Sequence, residues 1–403
     1  MVPKYVEALC GVKEKGLGMF LVFAIGSCVI YAEPVFGFPE TAQNQCITLT
    51  PMPTARGGLG IAVVEGLIYA IGGYNGTGFP TKNSTATINK IHGSCLGTNE
   101  VYDPARNLWA SKASIPTPRV YFGIVTFRNR IFCFGGLTQD SDFNLISSSA
   151  NEVYDPMTNT WESRKSLPIA GAGLHANLIG EKIYLIGGHS NETIVYDPIT
   201  DSCTTAEHLP IDAAHSYVYD EYSTSVSFEE KIHYIGYSDM GNFHLIYDSK
   251  SDSWSEGSAP SDLPAFAAGG ATSGVKCPAR IYVFGENSTY RTIAPWATSF
   301  PGGIALVYDP NVDTWTTAVS NLTDRVNFGV GVVDDGFYLI GGAVPTINSN
   351  YDASSLSVQF TPVCFSAHIQ EPFPTTLAVA VASGASIAAV AAGAVVYWKK
   401  RKR

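Results

Sequence analysis

Three arginines in this 403-residue chain each stand four residues before a glycine: Arg56 before Gly60, Arg119 before Gly123 and Arg325 before Gly329. A guanidinium is a rigid planar fork of donors, so the trio suits a carboxylate or a sulfate better than any other side chains in the sequence. The eight histidines, His92, His175, His189, His208, His215, His233, His244 and His368, have neither HxH nor HExxH spacing. Between the terminal segments lie Cys46, Cys95, Cys133, Cys203, Cys277 and Cys364, with no CxxC pair and no metal-ligand spacing. Asp140, Asp142 and Asn144 begin a D-x-D-x-N run, but Leu145 and Asn151 occupy the places where a calcium loop needs Gly and Glu, so the run reads as a polar loop. No GxSxG, P-loop or dinucleotide fingerprint is present. These residues point to binding, and no cofactor or metal is expected.

Composition agrees. Setting aside the charged residues of the two ends, 17 basic residues face 33 acidic ones. Such a surface repels phosphate backbones and argues against nucleic acid as a partner. Abundant Gly (39), Tyr (21) and Phe (20) favour strands joined by many turns.

The elements that must position the arginines come from an internal repeat. An apolar strand running into Gly-Gly recurs as LIYAIGG (67–73), IFCFGG (131–136), IYLIGG (183–188) and FYLIGG (337–342), and in altered form as IHYIGY (232–237) and IYVFGE (281–286). The glycine pairs are Gly72-Gly73, Gly135-Gly136, Gly187-Gly188 and Gly341-Gly342; Tyr237 and Glu286 replace the second glycine in copies four and five. A second element follows each, as VYDP with Tyr102, Tyr154, Tyr196 and Tyr308, as IYDS at 246 and as QFTP at 359. Seven residues beyond the tyrosine stand Trp109, Trp161, Cys203, Trp254 and Trp315. Six copies of strand, Gly-Gly, Tyr-Asp-Pro and Trp over residues 46–362 resemble the kelch repeat. The resemblance implies an all-β, six-bladed propeller in which these residues are architectural: the glycines turn the chain at positive φ, Asp-Pro starts a hairpin, and the Trp packs between blades.

Ring closure is also expected from the sequence. Residues 47–53 look like the last strand of a blade whose other strands are the sixth copy, which lacks its Trp after Phe360. That pairing predicts a disulfide between Cys46 and Cys364. With strands a to d numbered outward in each blade, b to c loops share one face with the d to a connections, and the short a to b and c to d hairpins occupy the other. From the second glycine position to the following aromatic the b to c separations are 29, 18, 8, 10, 22 and 18, so length variation concentrates on one face, the candidate binding surface. Arg56, Arg119 and Arg325 open the inner strands of adjacent blades on that face. One reading makes them a cationic patch at the channel mouth; the other, implied by the kelch resemblance, makes them structural pairing residues. His175 takes the glycine position of blade three and is a further candidate to face the channel.

The ends set an address. Residues 1–32 hold an uncharged stretch, GLGMFLVFAIGSCVIYA, after basic residues, and read as a signal peptide cleaved after Ala32. Residues 363–376 form a linker, 377–398 an uncharged 22-residue run long enough to span a bilayer, and 399–403 a basic tail kept cytoplasmic. Five sequons begin at Asn75, Asn83, Asn191, Asn287 and Asn321, as expected of an extracellular glycoprotein. Single-pass kelch proteins of this layout resemble prokaryotic, archaeal-like surface proteins. The expected function is non-enzymatic: binding or adhesion to an extracellular protein or glycan through the b to c face. The alternative is a carbohydrate-modifying enzyme, since the kelch resemblance also takes in copper oxidases and a sugar epimerase.

Overall fold

The strand that ends in Gly-Gly is buried along its length. Ile131, Phe132, Cys133 and Phe134 are all under 4% exposed, because a strand central to its sheet and covered on both faces has no solvent side. The outermost strands of blades 1 and 2 are mostly exposed instead, with only Trp109 and Lys112, and Trp161 and Arg164, half-buried.

In the computed structural model, the chain divides into Met1–Gln43 and Asn44–Arg403. The described residues are 44–76, 93–188, 190–210, 223–238, 241–286, 303–345 and 351–362, with the two-residue strands Ala24–Ile25 and Cys28–Val29 in the first unit. The spanning segment expected from the sequence lies outside these residues, as does the signal segment apart from those two short strands, which pair with each other; among the described residues no helix is long and apolar enough to cross a membrane.

Six four-stranded antiparallel sheets form the second unit. Blade 1 comprises Gly60–Val64, Leu67–Ile71, Asn99–Asp103 and Leu108–Lys112. Blade 2 comprises Gly123–Phe127, Arg130–Phe134, Asn151–Asp155 and Thr160–Arg164. Blade 3 runs from Leu174–Ile179 to Ser202–Ala206, blade 4 from Ser223–Phe228 to Ser253–Glu256, and blade 5 from Ala265–Ala271 to Thr314–Leu322. Blade 6 takes Gly329–Val333, Gly336–Ile340 and Ser357–Thr361 from the end of the repeat and Gln45–Thr48 from its beginning. Cys46 pairs with Phe360 and Ile47 with Gln359, which closes the ring as the sequence predicts. Each inner strand touches the inner strand of the next blade, and that of blade 6 touches that of blade 1.

The core is divided among the seams. One apolar cluster fills each: Val64, Tyr69 and Ile71 meet Phe122 and Tyr154 between blades 1 and 2, and Tyr282 and Phe284 meet Phe337 and Phe360 between blades 5 and 6. No blade could bury this surface alone, so the ring is the folding unit.

Two observations explain the altered fourth copy and the glycine pairs. In blade 4 the second strand runs straight into a hairpin, Lys231–Ser238 against Gly241–Asp248, so no Gly-Gly turn is needed where Tyr237 stands. In blades 1 and 6 the first glycine has positive φ (64° at Gly72, 66° at Gly341), and a Cβ there would lie 2.6 Å from the carbonyl oxygen of Arg119 or Arg56 in the next blade. The second glycine then donates its N–H to that same carbonyl, Gly73 to Arg119 at 2.8 Å and Gly342 to Arg56 at 2.9 Å. Only a residue without a side chain permits that approach.

Candidate functional site

Ion pairs identify the two faces. Arg130 with Asp155, Lys182 with Asp197 and Arg280 with Asp309 each join an a to b hairpin to a c to d turn, so both hairpin sets share one end of the propeller. The b to c loops, which differ most in length, gather at the other. There the ladder continues past the glycines in three adjacent blades: Gly57 pairs with Tyr74, Val120 with Leu137 and Val326 with Ala343. Tyr74, Cys95, Val120, Leu137, Ala172, Val326 and Ala343 form a buried apolar collar above blades 6, 1 and 2. The described residues of these connections in blades 1, 2 and 6 are thus built into the packed structure.

The three arginines lie beneath the collar, turned into their own blades. Arg56 and Arg119 are 0% exposed and Arg325 is 2% exposed. Arg56 meets Glu100 at 2.5 Å and donates to the Ala70 carbonyl at 2.8 Å; Arg119 pairs with Glu152 and donates to the carbonyls of Gly135 and Ala150, each at 3.0 Å. The second carboxylate oxygens accept from Thr54 and Thr117. Burial pulls both guanidinium groups below the usual arginine range and the paired carboxylates oppose it. Arg325 differs, because Val358 stands at the register held by Glu100 and Glu152 in blades 1 and 2. It donates to the carbonyls of Gly341 (2.9 Å) and Leu356 (2.8 Å), and burial lowers its pKa to about 10. These placements give the arginines partners inside the fold. Their spacing in the sequence could not show which way the side chains turn.

The mouth is instead lined by the residues two to five positions beyond each arginine and their counterparts in the other blades. A cavity of about 220 Å³ opens among the six inner strands, lined by Tyr121, His175, Ser223, Thr224 and Asn327 together with apolar residues such as Ile61 and Phe122. Gly58, Tyr121, Gly173 and Asn327 share one left-handed conformation at equivalent points of blades 1, 2, 3 and 6, with φ of 61°, 54°, 74° and 54°. Their backbones link around the rim: Gly58 N–H donates to Asn327, Tyr121 N–H to Gly58 and Gly173 N–H to Tyr121, at 2.8 to 3.0 Å. A tyrosine in this conformation carries strain, which marks the position for attention. Asn327 Nδ2 donates to the Tyr121 hydroxyl at 3.0 Å across the mouth. His175 lines the cavity, its Nε2 3.1 Å from the Ser223 hydroxyl. Sequence reading singled out His175 but missed Tyr121 and Asn327. Their signal was an out-of-place Tyr and Asn where the equivalent residues are Gly58 and Gly173.

Other sequence readings meet the structure differently. Asp140, Asp142 and Asn144 form the tip of a hairpin, where the Asp140 carboxylate accepts from Asp142 N–H, Asn144 N–H and the Asn144 amide. Among the described residues no group of three or more His, Cys, Asp or Glu is placed to hold a metal ion. The Cys46–Cys364 disulfide needs correction: Cys46 is a free, exposed thiol on the outer strand of blade 6, whereas, among the described residues, Cys277 is disulfide-bonded. Strand pairing brings Cys46 opposite Phe360, but its side chain faces solvent. Cys364 lies outside the described residues.

The tyrosines and tryptophans staple each blade to its neighbour. Trp109 Nε1 donates to the Thr50 carbonyl at 2.9 Å and Trp161 Nε1 to that of Ala113 at 2.8 Å. Five residues after each tyrosine, a position the sequence reading passed over, an amide or carboxylate oxygen accepts twice. Asn159 takes the Tyr154 hydroxyl at 2.7 Å and Ala113 N–H at 2.8 Å; Asp313 takes the Tyr308 hydroxyl and Ser258 N–H.

This staple, the glycine pairs and the six seams are the features a known family should share. The family described as Kelch motif matches residues 55–116 and 118–168, which are blades 1 and 2 with their approach strands. The chain is a kelch-repeat protein. Beta-scruin of Limulus polyphemus is 30% identical over 141 residues, 34% of this kelch chain and 14% of its own length. Kelch-like protein 36 of Rattus norvegicus is 23% identical over 295 residues, 69% of this chain and 42% of its own. The chain therefore spans less than half the length of these relatives. The solved structure of YjhT superimposes with a TM-score of 0.56 at 14% identity, over 78% of this chain and 97% of that one, which supports the shared propeller fold.

Proposed function

We propose that this kelch propeller is a non-catalytic recognition module that holds a protein or glycan partner across its b to c loop face, over the channel mouth. The observation that carries the reading is the asymmetry of the two ends. One is closed by short hairpins, and the other bears a packed apolar collar, formed by described residues over blades 6, 1 and 2, beside a cavity lined by Tyr121, His175, Ser223 and Asn327. A rigid scaffold presenting variable loops is the usual arrangement for recognition.

The ligand groups we assign are Tyr121, Asn327 and His175, with Arg56, Arg119 and Arg325 acting beneath them as positioning residues. The reading also places the propeller outside a membrane, anchored by residues 377–398. Two sequon asparagines on the loop face, Asn75 and Asn191, are exposed, in keeping with that address.

The test is to immobilise the full chain, screen it against a glycan array and a peptide library, and repeat with Asn327→Gly and with Met157→Glu on the opposite face. Binding lost in the first variant and kept in the second supports the proposal. Turnover of a bound sugar would overturn it in favour of the carbohydrate-modifying alternative.

A further inference from the structure

The b to c connection of blade 2 is a second, smaller hairpin standing on the propeller: Leu137–Gln139 pairs with Leu145–Ser147. Strand alternation gives it two different sides. On the inner side Leu137 and Leu145 pack into the collar, and Gln139 is held twice, accepting from Cys95 N–H at 2.8 Å and donating to the Gly93 carbonyl at 3.1 Å. The outer side and the tip hold apolar residues in water: Ile146 is 47% exposed and Phe143 is 60% exposed.

The tip is fixed in one shape. The Asp140 carboxylate accepts three hydrogen bonds from Asp142 and Asn144, Asp140 N–H donates to the Asn144 carbonyl at 3.0 Å, and Phe143 N–H donates to the Asp140 carbonyl at 3.1 Å. Phe143 sits at φ 63°, a conformation unfavourable for a bulky residue, so the turn holds an aromatic ring outward at a conformational cost. The backbone beneath the ring is already fixed and need not be ordered on binding, and aromatic anchors of this kind dominate interface energetics. Beside it Asp142 is exposed, in a chain of net charge −10.

We propose that this hairpin is the principal anchor of the loop face: Phe143 inserts into an apolar socket on a protein partner, and Asp142 meets a lysine or arginine at the socket's rim. The inference rests on the reading of the b to c face as the binding surface and adds the anchor and the partner's chemistry. A basic, apolar-pocketed protein surface complements both the ring and the acidic chain.

The probe is a displayed library of random twelve-residue peptides selected on the full chain. Selected peptides should combine an aliphatic or aromatic cluster with Lys or Arg, and should bind at least about tenfold more weakly to Phe143→Ala, the loss expected of an anchor. Phe143→Gly, which suits the positive φ and keeps the turn, should lose as much, whereas Phe143→Tyr should restore binding. Asp142→Asn should weaken binding and reduce its dependence on salt. Peptides insensitive to Phe143 but lost in Asn327→Gly would overturn the anchor and leave the loop-face reading standing. Peptides sensitive only to Met157→Glu would overturn both, and recovery of no binder would count against the anchor.

Discussion

Acid should loosen the propeller through two buried histidines. His233 and His244 lie on adjacent strands of blade 4, 3% and 2% exposed, against Tyr308 and Trp315 of blade 5. His244 Nδ1 lies 3.1 Å from the Ser258 carbonyl, which can only accept, so that nitrogen carries the proton and Nε2 is the acceptor. His233 Nδ1 then donates to it at 2.9 Å, and both rings are neutral. Burial, then the neighbouring His244 and Lys231, push the His233 pKa down to about 3, while Asp313 opposes; burial also lowers that of His244. An unfolded histidine titrates near 6.5, so between about pH 6.5 and 3 unfolding takes up a proton that the folded ring refuses. The stability is fully present above about pH 6.5 and falls by about 1.4 kcal/mol per pH unit below it. At pH 5 the deficit from His233 alone is about 2 kcal/mol, and His244 adds to it in the same direction. Urea unfolding of the wild type and of His233→Gln, which keeps a neutral donor to His244, should be followed by tryptophan fluorescence from pH 7.5 to 5. The variant's profile should be flatter by about 2 kcal/mol over that range. Parallel profiles would refute the neutral buried pair.

Three further outcomes follow from the blade architecture. Glu152→Gln leaves the Arg119 charge without its carboxylate and should cost about 3–5 kcal/mol in unfolding free energy, without a specific effect on ligand selectivity once the protein is folded. Val358→Glu places a carboxylate at the register Glu100 holds in blade 1, beside Arg325, which has carbonyl acceptors but no carboxylate partner among the described residues, and should raise the urea midpoint by the equivalent of about 1–3 kcal/mol; a lowered midpoint would show that Arg325 needs no carboxylate. Asn159→Ala removes the acceptor shared by Tyr154 and Ala113 N–H and should cost about 1–3 kcal/mol, read as accelerated amide exchange at the seam of blades 1 and 2.

Much of the fold was legible in the residues because a repeat states its own period. Six strands ending in glycine, each followed by an aromatic and most by a tryptophan at a fixed offset, determine six sheets. A terminal copy lacking its tryptophan, with a lone strand at residues 47–53, determines how the ring closes. These are local facts, set by glycine's access to positive φ and by the two-residue period of a strand. What a side chain faces is not local. Arg56 and Arg119 have the same spacing whether they greet a ligand or a glutamate, and only the packed ring brings Glu100 and Glu152 close enough to turn them inward. Cys46 is carried beside Phe360 by strand pairing, yet its position on an outer strand leaves the thiol in solvent. Tyr121 and Asn327, 206 residues apart, become hydrogen-bond partners only when the ring curls their blades around one cavity. Sequence determined the repeat and its closure because those depend on each residue's own conformational preferences. Tertiary structure alone decided the mouth, because it is made by residues from six blades that no spacing relates.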